Sequence, residues 1–140
     1  MLNALKAVHR ELRDALAELE VETRKSEPDE TSLPMARLKL TRVSGRRRCL
    51  VDNVIGPRLH DASPEVARQL ENLRRAASDL AIESAEHIAR WTMRYIVADW
   101  NGYRASSAAM RTNMLRRINE EGAILYPLLE SRGSPNANAA

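Results

Sequence analysis

The feature that most limits what this chain can fold into is the spacing of apolar residues near its start. Leu2, Leu5, His9, Leu12, Leu16 and Leu19 recur at intervals of three and four, which makes one apolar seam along a helix. Lys6, Arg10, Glu11, Arg13, Asp14 and Glu18 fill the other faces. Such a helix is amphipathic and has to bury its seam against something else. The pattern predicts a first helix over Leu2 to Lys25, ended by the polar stretch Ser26-Glu27-Pro28-Asp29-Glu30.

The same period returns three more times. A second helix is predicted from Ser32 or Pro34 to Ile55, with Leu40, Val43, Arg47, Leu50 or Val51 and Val54 on its seam. Pro34 suits a first turn, where its missing N–H costs nothing, and Gly56-Pro57 reads as the stop. Gly45, in mid-helix, weakens it by about 1 kcal/mol relative to Ala and marks a place for a kink. The third helix has the clearest start, with Ser63 to cap, Pro64 in the first turn and Glu65 at the positive end of the dipole. Its seam runs through Val66, Leu70, Leu73, Ala77, Leu80, Ser84, His87 or Ile88, Trp91 and Tyr95 to about Ala98. After the turn Asp99-Trp100-Asn101-Gly102, a fourth helix carries Tyr103, Ser107, Met110, Met114, Arg117 or Ile118, Glu121 and Leu125. It is predicted to break near Tyr126-Pro127, and residues 131–140 are predicted to form a mobile tail.

Four amphipathic helices with short links predict an all-α antiparallel up-down four-helix bundle over residues 1–130. A chain of 140 residues can bury one core without metal or disulfide staples. A faint internal repeat supports paired helices. Val54-Ile55-Gly56-Pro57-Arg58-Leu59 and Ile124-Leu125-Tyr126-Pro127-Leu128-Leu129 lie half the chain length apart, which superposes Arg47 on Arg117 and Val51 on Glu121.

Composition sets outer bounds on function. The one cysteine, Cys49, allows no intramolecular disulfide and no cysteine-based zinc site. With no signal-peptide core over Met1 to Glu20, a reducing cytoplasmic setting is expected. No apolar run of about 18 residues exists, so no membrane span is expected. The net charge of +3 is mild; without interleaved aromatics it argues against nucleic acid as a partner.

Two stretches carry a family resemblance. Arg116-Arg117-Ile118-Asn119-Glu120-Glu121, followed by Gly122-Ala123-Ile124-Leu125-Tyr126-Pro127-Leu128-Leu129, resembles the last-helix motif of hemerythrin-like, or HHE cation-binding, domains. There the pattern reads His-x-x-x-Glu-Glu and then Leu-Tyr-Pro. Val8-His9-Arg10-Glu11-Leu12 looks like that family's first-helix ligand motif, and Trp91, Asp99-Trp100 and Tyr103 resemble an aromatic signature of a bacterial branch. The resemblance implies a bundle holding two irons through histidines and carboxylates that project inward. Two such ions need about five imidazoles and bridging carboxylates in a dry interior. Here only His9 and Glu121 match. Arg47 and Val51 stand at the second-helix His and Glu positions, Arg117 stands at the fourth-helix His position, and His87 is too far along its helix.

The expectation is therefore a bundle that has lost its di-iron site, with no enzymatic activity, no cofactor, and a regulatory or signalling role. The alternative is an oxygen- or metal-binding member with an atypical or mononuclear iron site at His9 and Glu121. Arg47, Arg117 and Glu121 are expected to form a buried polar network where ions stand in relatives. Arg37, Lys39, Arg42, Arg46, Arg47 and Arg48 give the second helix a basic face, with Asp52 alone opposing it. That face is expected either to pair with acidic neighbours or, through Arg42, Arg46 and Arg48, to meet another protein or a small anionic ligand. A homodimer is a further option. Cys49 among these cations is a candidate redox thiol, weighed against a small buried hydrophobe.

Overall fold

The computed structural model describes residues 1–133, with side chains to Glu130. The expected tail lies largely outside the described residues. The chain is all-α, with helices α1 (Leu2–Thr23), α2 (Ser32–Arg58), α3 (Pro64–Arg90), the short α4 (Met93–Ala98) and α5 (Trp100–Gly133).

The first seam is buried as its spacing requires: Leu5, Val8, His9, Leu12, Ala15, Leu16 and Leu19 all leave solvent. Each fully buried leucine contributes roughly 1.5–3 kcal/mol. Cross-helix contacts fix antiparallel neighbours. Arg46 pairs with Glu11 at 2.9 Å and Lys39 with Glu18 at 2.6 Å, so α2 runs against α1. Lys6 meets Glu130, whereas Arg104 Nε donates to the Thr23 carbonyl at 2.7 Å, so α5 also opposes α1. The long helices thus pack as a helical bundle.

Caps explain most boundaries. Asp29 Oδ1 accepts from the amides of Thr31 and Ser32 at 3.0 and 3.1 Å, covering donors at the start of α2. Those amides hold its carboxyl well below the usual carboxylate range. Ser63 caps α3 by accepting from the Val66 amide at 3.3 Å. Asp99 accepts from the Gly102 amide at 2.9 Å. A Cβ at Gly102 would collide with the Asp99 carboxylate, so the missing side chain gives that carboxylate its seat. The far end of α1 is covered by α5 and its first residue: Trp100 Nε1 donates to the Lys25 carbonyl at 3.0 Å, beside the Arg104 bond.

Three sequence expectations need correction. The third helix does not run unbroken to Ala98. Trp91 and Thr92 leave the helical region, and the Thr92 hydroxyl accepts from the Tyr95 amide to begin α4. Arg37 Nη2 donates to the Trp91 carbonyl, freed by the break, at 2.6 Å. The break also turns the face: Ile96 is buried where Tyr95 was expected, and Tyr95 is 62% exposed. The last helix does not stop at Pro127 but continues to Gly133. A proline costs one backbone bond and a steric clash, and burial of Leu125 and Leu129 on either side offsets it. Likewise α2 passes Pro57 and ends at Arg58.

Candidate functional site

The centre of the bundle is built from α1, α2 and α5. His9, Arg47 and Glu121 project into it and are 0%, 3% and 2% exposed. Arg47 Nε donates to both carboxylate oxygens of Glu121, at 3.1 and 3.0 Å, and its Nη2 donates to Oε2 at 2.6 Å. The last distance is that of a charge-assisted bond. His9 Nε2 lies 3.0 Å from Glu121 Oε1 and its Nδ1 lies 2.5 Å from the Tyr126 hydroxyl. A carboxylate only accepts, so Nε2 carries the proton there, and the tyrosine donates to Nδ1 in the assignment that satisfies every atom. Burial raises the Tyr126 pKa against the pull of nearby Arg13, which keeps that hydroxyl a donor.

Gly122 makes this arrangement possible. A Cβ there would sit 3.0 and 3.2 Å from two Tyr126 ring carbons. The ring lies back across the bare turn before its hydroxyl reaches α1.

Arg117 is not brought into this cluster. It is half-buried, and its Nε has no hydrogen-bond partner among the described residues. Three N–H donors, Arg47 Nε and Nη2 and His9 Nε2, already make four contacts to Glu121, leaving no reason for a second guanidinium there. His9, expected as a residual ligand, fills that role instead, and Tyr126 joins it. The tyrosine could have been anticipated, since Glu121 and Tyr126 are little more than one turn apart in the same motif.

The residues present do not fit a di-iron pair. Glu121 is taken up by Arg47 and His9, and both ring nitrogens of His9 are engaged. The chain has three histidines. His60 is exposed after α2, and His87 meets Ser106 at 3.3 Å at the far end of α3. Among the described residues, no group of three His, Cys, Asp or Glu could hold a metal ion.

The basic face of α2 divides in two. Lys39 and Arg46 pair with the acidic face of α1, as their neighbourhood permits at little gain in water. Arg42 and Arg48 are exposed. Cys49 is also exposed, so it is not a small core hydrophobe.

A second feature lies on the opposite flank of Arg47. Between α2, α3 and α5 is a cavity of about 230 Å³. Its walls include Leu40, Met110 and Met114, and on the α3 side the small residues Ala77, Ala81, Ser84 and Ala85 lie among Leu80, His87 and Ile88. Arg37, Arg47, Arg48, His87 and Tyr103 are its charged or titratable lining residues, with no carboxylate among the described ones. Sequence reading missed this cavity. Its one signal was the run of Ala and Ser on the α3 seam, where the other helices carry Leu and Val.

The Arg37 end of the cavity is crowded with polar groups. The Tyr103 ring is fully buried, stacked on Trp100 at 5.8 Å and set edge-on to Trp91 at 5.7 Å. The Arg37 guanidinium lies 5.6 Å over it, and His87 lies 5.9 Å away. Burial pushes the Tyr103 pKa up, against Arg37, Ser107 and Arg111. Burial first, then Arg37 and Arg90, push that of His87 down. Among the described residues His87 Nε2 is buried without a hydrogen-bond partner, and the buried Tyr103 Oη has the Ser107 hydroxyl as its neighbour.

Compared with known proteins, the chain matches no family model, no curated protein and no solved structure.

Proposed function

We propose that this chain is a non-enzymatic, hemerythrin-like binding module, in which an internal ion pair has replaced the ion centre and a small molecule is taken up beside it. The observation that carries this reading is the cavity between α2, α3 and α5, lined by apolar and cationic side chains. Ligand sites are typically concave and mostly apolar, with a few placed polar groups. The Arg47–Glu121–His9 cluster supports the non-metal part, because its donors and acceptors satisfy one another. A regulatory role follows if occupancy changes how α3 packs, since α3 holds the rest of the bundle through few buried residues.

The test is a thermal-shift screen of small apolar acids, amides, amines and nucleotides against the wild type and Ser84→Leu. Ligands that raise Tm in the wild type and not in Ser84→Leu support the reading. A screen without any shift, or shifts that Ser84→Leu leaves intact, sinks it. Iron analysis of protein purified from iron-supplemented cells checks the other half. Stoichiometric iron with a near-ultraviolet charge-transfer band would overturn the metal-free centre.

A further inference from the structure

We infer that the cavity takes an amphiphilic monocarboxylate, with its head at the Arg37 end and its apolar body running toward Met114; this rests on the cavity being the binding site. Three observations point there independently.

The first is the balance of charge. Arg37, Arg47 and Arg48 line the cavity and no acidic side chain does. Glu121 already neutralises Arg47. Arg37 has a carbonyl as its hydrogen-bond acceptor and, among the described residues, no carboxylate within ion-pair distance. An anionic head would supply the missing countercharge, and a cationic one would be repelled.

The second is a relay of donors with an open end. Trp91 Nε1 donates to Ser106 Oγ at 3.2 Å. That hydroxyl has one proton, and it faces His87 Nδ1 at 3.3 Å. If Nδ1 accepts it, the neutral ring carries its own proton on Nε2. The lowered pKa of His87 favours this neutral form. Nε2 then becomes a donor with no acceptor among the described residues, and the buried Tyr103 Oη has only the Ser107 hydroxyl beside it, with the Arg37 guanidinium over the tyrosine ring. A buried donor left unmet is destabilising, because it has given up its water without gaining an acceptor. Both atoms are covered from solvent, so bulk water does not satisfy them, and an acceptor delivered through the cavity would.

The third is size and polarity along the cavity. Away from Arg37 the walls are mostly apolar, with Leu40, Ala77, Leu80, Met110 and Met114, and Arg47, already paired with Glu121, and Arg48 lie toward the far end. A dry cavity of about 150 Å³ holds one benzene ring. At about 230 Å³ this cavity suits a chain of roughly eight carbons or a ring with a short side chain. The two methionines adapt to either shape.

Calorimetric titration of the full chain with octanoate, octanamide and octylamine tests this. Octanoate is expected to bind at least about tenfold tighter than octanamide, with octylamine weakest. Arg37→Gln should abolish the preference for the acid over the amide, and Tyr103→Phe should reduce it. Arg48→Gln, which removes a lining cation at the other end, should leave it within about twofold. Ser84→Leu, or Ala81→Leu if the first fails to fold, should abolish binding of all three. Equal binding of acid and amide overturns the anionic head while leaving the cavity reading in place. A preference lost in Arg48→Gln but kept in Arg37→Gln also overturns it. Binding of none of the three, or binding that survives both filling variants, overturns the cavity reading itself and the inference with it. Should Arg37→Gln be unstable, Tyr103→Phe decides: an unchanged preference there counts against the proposal.

Discussion

The two flanks of Arg47 are built on opposite plans. On one flank α1 buries eight of its 22 residues, and Arg47, Glu121, His9 and Tyr126 are joined by hydrogen bonds. On the other, α3 is longer, at 27 residues, yet buries four. Leu70, Leu73, Ala77 and Leu80 are those four, the residues after them on the cavity side are mostly alanine and serine, and His87 Nε2 near the end of α3 is unmet among the described residues. The first flank spends an ion pair on closing the core, and the second leaves space. The comparison teaches that stability and binding are divided between different helices of one bundle. A change on the first flank should cost stability, and a change on the second should cost the ligand.

The largest effect expected from that division is loss of the central pair. Arg47→Met leaves Glu121 buried without its counter-ion, and removing one partner of a buried pair costs about 3–5 kcal/mol. Chemical denaturation should show it. The double variant Arg47→Met, Glu121→Leu should recover most of the loss, because an apolar pair of similar volume needs no desolvation. A single variant within about 1 kcal/mol of the wild type would mean the cluster does not close the core.

Next comes Tyr126→Phe, which strands His9 Nδ1 and should cost about 1–3 kcal/mol. Gly122→Ala should act in the same direction by pushing on the Tyr126 ring, although alanine is the better helix former. If Gly122→Ala proves stabilising, the ring has room to move and the Gly122 argument fails. On the other flank the sign reverses. Ser84→Leu should fill space and raise stability by about 0.5–2 kcal/mol. Gly45→Ala should raise it by up to about 1 kcal/mol, since a Cβ there meets nothing within 4 Å. A loss in both would show that α2 and α3 are packed more tightly than their side chains suggest.

Much of the tight flank was legible in the sequence. The leucine seam of α1, the inward register of Arg47 and Glu121, and the cap at Ser63 follow from local spacing and chemistry. What escaped was decided by pairs distant in sequence. His9 meets Glu121 and Tyr126 across more than a hundred residues, and no local rule chooses it over Arg117. The break at Trp91 was hidden because the apolar period continues through it. Only Arg37, from another helix, accounts for where the freed carbonyl goes. Pro57 and Pro127 misled for the same reason, since tertiary burial outweighed a local breaker. The cavity was least legible, because small residues on a seam read equally well as close packing or as space.

The smallest effect expected is also the one that probes the open flank without a ligand. His87 is held below its ordinary value of 6.5 by burial, then by Arg37 and Arg90. The unfolded chain therefore binds this proton at higher pH than the folded chain does. Above about pH 6.5 neither state is protonated there and nothing is lost. As pH falls through that value toward the lowered folded one, the unfolded state gains a proton first and the fold loses stability. In His87→Gln this part of the loss should vanish, so the fall in Tm between about pH 7.5 and about pH 5.5 should be smaller than in the wild type. An anion bound at Arg37 should offset the cations that hold His87 down and raise its pKa, so octanoate should also flatten the wild-type profile. Parallel profiles for wild type and His87→Gln would show that His87 ionises as freely in the fold as out of it. The Arg37 end would then lack the uncompensated positive field that sets this flank apart from the one closed by Glu121.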